Sequence, residues 1–259
     1  MRSNSRPQLR AHLLGPSLLV AALLATLFTA WTPQSLSFNN FSRQLNLLLT
    51  PQVAGGAPAL TTQLPPLRIA IVAGHLGNDS GAVCVDENGV ETLTEQEVNL
   101  KIAELAQRSL IAQGFQVDIL QEFDTRLSGL RAVALISIHN DSCDFVNAEA
   151  TGFKVAAAKD TRDLNRAARL TACLVDRYAR ITGLPFHAGS ITTDMTEYHS
   201  FSEIDPSTVA AIIETGFLNL DRDFLTTHTD QVAEGIVQGV LCFVNNENIE
   251  PTPFPTFAP

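Results

Sequence analysis

The chain has 259 residues, 45% of them hydrophobic and 17% charged, with a formal net charge of -10. That is the balance of a globular protein with room for one good-sized domain and further segments. It excludes a nucleic-acid partner, because neutralising phosphates takes clustered Lys and Arg, and 17 basic residues here stand against 27 acidic ones.

In chain order, Arg2, Arg6 and Arg10 precede an uncharged apolar run from Leu13 to Trp31. As a helix that run is long enough to cross a hydrocarbon core of about 30 Å. Residues 1–31 therefore read as an export segment with its basic flank inside, and the rest of the chain is expected outside the cytoplasmic membrane. A cut after Ala30 would place Phe28 where a signal peptidase needs a small residue, which favours an uncleaved membrane anchor over a removed signal peptide. Residues 32–66 scatter Pro, Gly, Ser and Gln without periodicity and read as a linker. The tail, 248–259, ends in "PTPFPTFAP", whose prolines stop a helix or a sheet ladder. The folded unit is expected over 67–247.

That unit opens with an apolar strand, "LRIAIV", which runs into Gly74-His75, with Gly77 and Gly81 permitting tight bends. Asp86–Gly89 is a polar turn rather than a calcium loop, since the first ligand position of an EF-hand would fall on Cys84. Thr94 followed by Glu97 is a capping box, so a helix starts here with Glu95 in its first turn. Val98, Ile102, Leu105 and Ser109 keep helical spacing as far as Gly114. "FQVDIL" and "RAVALISIHN" read as strands, the second apolar on both faces and ending at His139. "GFKVAAA" is a further strand, and Leu164, Ala168, Thr171, Val175 and Tyr178 mark one face of a long helix closed by Gly183. "STVAAIIETGF" is a late strand carrying Glu214, and Val232, Ile236, Val240 and Phe243 mark the last helix. This alternation predicts a single α/β domain: a mostly parallel, mixed central sheet flanked by helices on both faces.

Four cysteines in an exported chain permit disulfides. Cys84 and Cys143 each follow shortly after a histidine-bearing strand end, which favours their pairing, while Cys173 and Cys242 fall on two predicted helices. Buried free thiols are the alternative, and without a CxxC pair zinc is not expected on cysteine.

In sheets of this kind ligands gather outside the carboxyl ends of the strands. His75, His139 and Glu214 reach that position on three separate strands, and Glu95 opens the helix after the first. His75, Glu95 and His139 make the ligand set of a catalytic zinc site, with three protein ligands and a fourth place for water. Such a metal makes water a nucleophile near neutral pH and polarises a carbonyl. Glu214, set among apolar residues that desolvate it, is the candidate general acid and base. Together these parts describe hydrolysis of an amide. Taken singly, each histidine reads as a hydrogen-bonded structural residue and Glu95 as a helix-dipole partner, but one zinc accounts for all of them at once. Asp79 and Asn140 neighbour the ligands and are read either as hydrogen-bond supports for them or as turn residues. His187, His199 and His228 are read as solvated or capping residues.

The segments "GHLGNDSGA", "EQEVNL", "SIHND" and "ETGFLNL", in that order, resemble the zinc-dependent N-acetylmuramoyl-L-alanine amidases of bacterial cell-wall remodelling. That family's pattern is a "GHGG…G" loop, an "E-x-x-VNL" helix start, an "SIHAN" strand end and a late "E-x-GF-x-N". The resemblance implies zinc on His75, Glu95 and His139 with Glu214 catalytic. It also implies peptidoglycan as the substrate, cut between the lactyl group of N-acetylmuramic acid and the first L-alanine of the stem peptide. The chain departs from the pattern at Val72-Ala73, where Asp-Pro is usual, at Leu76 in place of the second glycine, and at Asn140 in place of the alanine after the histidine. The arginine-rich segment between the second and third motifs is missing, and no long insertion follows His139. The rival expectations are a zinc amidohydrolase acting on another exported amide and a wall-binding relative without turnover.

Overall fold

The computed structural model describes residues 65–249. The export segment, nearly all of the linker and most of the Pro-rich tail read from the sequence lie outside the described residues. Among those described, no helix is long and apolar enough to cross a membrane.

The apolar runs form one five-stranded sheet in the order β4-β1-β5-β7-β6. β1 (Arg68–Ala73), β4 (Gln116–Leu120), β5 (Ala134–Asp141) and β7 (Val209–Phe217) run parallel. β6 (Lys154–Ala157) closes one edge antiparallel to β7. Strand side chains alternate between faces, and here both faces are buried. Ile69, Ile71 and Ala73 of β1, Ile136 and Ile138 of β5, and Ala211 and Ile213 of β7 belong to the larger core. The same core includes residues of the three long helices, α1 (Glu95–Ala112), α2 (Leu164–Thr182) and α6 (Thr229–Val244). Ala70, Val72, Leu135 and Ala210 point the other way and pack with Leu127, Leu130 and Ile204. The architecture is the α/β one the sequence predicts, but the cover is unequal. The second face carries short pieces: a single 3-10 turn at Thr125–Leu127, α3 (Thr193–Thr196) and α4 (His199–Glu203).

α1 starts where its capping box requires, with Thr94 Oγ1 accepting from the Glu97 N–H and Glu97 Oε2 accepting from the Thr94 N–H. Before it comes an antiparallel hairpin, β2 (Val83–Val85) and β3 (Glu91–Thr94), whose polar turn is held by Asp86 accepting from the Asn88 and Val90 N–H groups. α5 (Arg222–Thr227) precedes α6. α2 and α6 approach so closely that a Cβ on Gly239 would sit 2.7 Å from the Leu174 side chain, and the Cys173–Cys242 disulfide joins the two helices. The other disulfide, Cys84–Cys143, is the pairing favoured from the sequence and ties the hairpin to the loop after β5.

Candidate metal centre and active site

β1 and β5 are adjacent and parallel, with Ala73 beside Ile138, so Gly74-His75 and His139 emerge at the same edge of the sheet. The hairpin returns the chain to this edge, and Glu95, the first residue of α1, meets both imidazoles. Its Oε2 lies 3.2 Å from His75 Nε2 and its Oε1 3.1 Å from His139 Nδ1. One ligand atom from each of the three residues lies within 4.8 Å of the others.

Three features make the convergence possible. A Cβ on residue 74 would stand 2.4 Å from the His139 ring, so only glycine leaves room there. His75 takes φ of 66°, a left-handed conformation that costs a non-glycine residue about 1 kcal/mol or more. It is held by its N–H donating to Glu122 Oε2 at 2.7 Å. Glu95 is fixed in turn by N–H donors from Ala82 (3.0 Å) and Asn140 (3.1 Å) and by the Asn99 amide (3.3 Å).

Electrostatics separate the two carboxylates of the site. Burial pushes Glu95 upward, but hydrogen bonds from His139 and His75 outweigh it and hold the carboxyl well below its usual range. The hydrogen bond to Glu95 is also the main reason that the His75 imidazole is raised to about 9. Burial pulls His139 down, yet its carboxylate neighbours leave it above its ordinary value. Glu214 sits on β7 in register with His139 on one side and Lys154 on the other. Its Oε2 is shielded from solvent and has no hydrogen-bond partner among the described residues. Burial pushes this carboxyl up to about 7. His75, Glu95, His139 and Glu214 all line one cavity of about 380 Å³.

Two imidazole nitrogens and one carboxylate oxygen around a common point are the donor set zinc takes in catalytic sites. A ligating histidine also needs its far nitrogen held. His75 Nδ1 lies 2.6 Å from Asp79 Oδ1, and His139 Nε2 lies 3.2 Å from the Tyr198 hydroxyl. The residues present therefore fit such an ion. Asp79 and Asn140 are both bonded to members of the set, Asp79 to His75 and Asn140 to Glu95.

The remaining histidines among the described residues lie outside this set. His187 pairs with Ser190, and His228 contacts Thr227 and stacks on Phe224. His199, read from the sequence as solvated or capping, is half-buried at the start of α4, with Nε2 3.0 Å from Glu122 Oε1 and Nδ1 2.9 Å from Glu203 Oε1. Sequence reasoning missed Glu122, Tyr198 and Lys154. Glu122 follows the end of β4, and the strand-end rule that found His75 and His139 would have reached it. Tyr198 lies between two helices of four and five residues, where no periodicity points inward. Lys154 reads as an ordinary strand residue, yet it lines the cavity, pairs with Asp141 and lies 5.2 Å from the Phe217 ring centre.

Residues 69–242 match the Amidase_3 family, described as N-acetylmuramoyl-L-alanine amidase. No curated protein matches the chain. Among solved structures, the chain is similar to an N-acetylmuramoyl-L-alanine amidase from Clostridium difficile 630, with 21% identity over 71% of this chain and 100% of that one, at a TM-score of 0.55. It is similar to the CwlD amidase from Clostridioides difficile, solved in complex with the GerS lipoprotein, with 19% identity over 70% of this chain and 100% of that one, at 0.54. The amidase Ami1 from Mycobacterium smegmatis gives 15% identity over 70% of this chain and 98% of that one, at 0.51. At these identities the structural likeness speaks for the fold, and the sequence match over 69–242 speaks for the family.

Proposed function

The chain belongs to the N-acetylmuramoyl-L-alanine amidase family, and on that premise we propose that it is a zinc-dependent hydrolase that cuts peptidoglycan between N-acetylmuramic acid and the first L-alanine of the stem peptide. The observation that carries the proposal is the meeting of His75 Nε2, Glu95 and His139 Nδ1 in one cavity with the unpartnered Oε2 of Glu214.

His75, Glu95 and His139 are the residues that would hold the ion. Bound there, zinc supplies an activated water and polarises the scissile carbonyl. Glu214 takes the proton of the attacking water and passes it to the departing alanine amine, a transfer a free carboxyl oxygen performs and a hydrogen-bonded one performs poorly. Glu95 cannot share that work, because both of its oxygens already accept hydrogen bonds.

Two disulfides suit an oxidising compartment, and a wall polymer outside the cytoplasmic membrane suits an exported enzyme. Residues 1–31 complete the proposal as the export segment that tethers the catalytic unit. The test is metal analysis of the purified protein together with gels cast with cell wall. One zinc per chain is expected, with clearing of the wall abolished by a chelator and restored by added zinc. Undiminished clearing in the chelator would contradict the proposal.

A further inference from the structure

Glu122 lies two residues beyond β4 at the edge of the sheet that carries the site. Its carboxylate receives three donors: the His75 N–H at 2.7 Å, the Tyr198 hydroxyl at 2.6 Å and His199 Nε2 at 3.0 Å. Its own N–H donates to the Leu76 carbonyl at 3.0 Å, so residue 122 and the loop bearing His75 grip each other in both directions. The Tyr198 oxygen stands 3.2 Å from His139 Nε2.

The order of hydrogens along this chain follows from the inventory of donors. An ionised carboxylate only accepts, and a tyrosine hydroxyl has a single hydrogen. Given to Glu122, that hydrogen leaves only lone pairs on the tyrosine oxygen to face His139. The imidazole must therefore supply the hydrogen of the His139–Tyr198 bond from Nε2. With the Nε2 hydrogen kept directed at the Tyr198 oxygen, Nδ1, which donates to Glu95 Oε1 at 3.1 Å, is the nitrogen that must give up its hydrogen for an ion to bind. At His75 the assignment is reversed: Asp79 accepts from Nδ1 and Nε2 faces Glu95.

We propose that Glu122, acting through Tyr198, is a positioning residue that fixes His139 in the Nε2–H form and leaves Nδ1 to bind the metal, while the same carboxylate seats His75 through its backbone. The inference rests on the zinc reading of the site and adds the element that sets the proton order of one ligand. Glutamine at 122 keeps the shape but reverses the logic. Its amide can donate to the tyrosine oxygen and turn the hydroxyl hydrogen towards His139 Nε2, which places the ring hydrogen on Nδ1 and blocks ligation.

The experiment compares wild type, Glu122→Gln, Tyr198→Phe and the double variant in the full chain. Its readouts are the zinc Kd, from competition with a chromophoric chelator, and the visible spectrum of the Co2+-substituted protein. Each single variant is expected to bind zinc about 10- to 100-fold more weakly and to shift the cobalt bands. The double variant is expected to be little weaker than the weaker single, because the two residues act in series. Phenylalanine keeps the ring beside His199 and Phe201, whose centres lie 4.5 and 5.6 Å away, so Tyr198→Phe reports even where Glu122→Gln fails to fold. Single variants within twofold of wild type with unchanged cobalt spectra would overturn the inference, as would fully additive losses in the double variant. A wild-type protein that takes up neither ion would overturn the zinc reading itself, and this inference with it.

Discussion

Glu95 and Glu214 share a cavity yet are held at opposite ends of the carboxylate range, one pinned by two imidazoles and the other raised to about 7 by burial. Carboxyl groups driven apart in this way divide the labour of a site, one as a fixed anion and one as a proton carrier. Glu214→Gln is therefore expected to bind zinc as wild type does while turnover falls by about 10²- to 10⁴-fold. Steady-state kinetics beside metal analysis check this, and a variant retaining a tenth or more of wild-type turnover would refute the role. Gly74→Ala makes the converse prediction. The added methyl meets the His139 ring at 2.4 Å, so the imidazole must move and zinc binding should weaken by about tenfold or more, seen in the same competition assay. Four residues of the site are legible in the sequence because each stands at a helix start or near the carboxyl end of a strand. Glu122 obeys the same rule, two residues beyond β4, but Tyr198 does not: its importance comes from hydrogen bonds to segments as far as 76 residues away, a distance no periodicity reports.

At the scale of elements, the hairpin and its disulfide carry the site as much as the sheet does. β2 and β3, of three and four residues, are too short to show a period of two, and only their polar turn is read from the sequence. Even so, the hairpin delivers Ala82 and Glu95 to the metal ligands, and Cys84–Cys143 ties it to the loop after His139. That bridge spans 59 residues, for which loop-closure entropy gives about 4 kcal/mol. The paired change Cys84→Ala with Cys143→Ala should lower the urea-unfolding free energy by about 2–4 kcal/mol and weaken zinc binding with it. Equal stability in the variant would show that the bridge does not hold this edge of the molecule. Thr94→Ala removes the cap of α1 and should cost about 1 kcal/mol in the same assay. The pairing of Cys173 with Cys242 is less legible from the sequence than that of Cys84 with Cys143. It depends on which faces of α2 and α6 meet, and the close approach at Gly239 decides that.

For the whole molecule, the alternation of strand and helix patterns makes the α/β class legible, and apolar strand runs imply burial on both faces. The strand order does not follow from those patterns. Nor does the cover of the second face, because Met195, Tyr198 and Phe201 pack there from short helical pieces without repeating spacing. Every residue assigned to the site lies within 65–249, so a fragment of those residues should fold with an unchanged thermal midpoint and hydrolyse wall material in solution. Loss of turnover in a folded fragment would show that residues outside 65–249 take part in the chemistry. The central claim concerns which bond is broken, and the mass of the products from digested, purified peptidoglycan tests it most directly. Peptides beginning with a free L-alanine amine, beside glycan strands with unsubstituted lactyl carboxyls, are the predicted result; fragments cut at a glycosidic bond or within the stem peptide would contradict it.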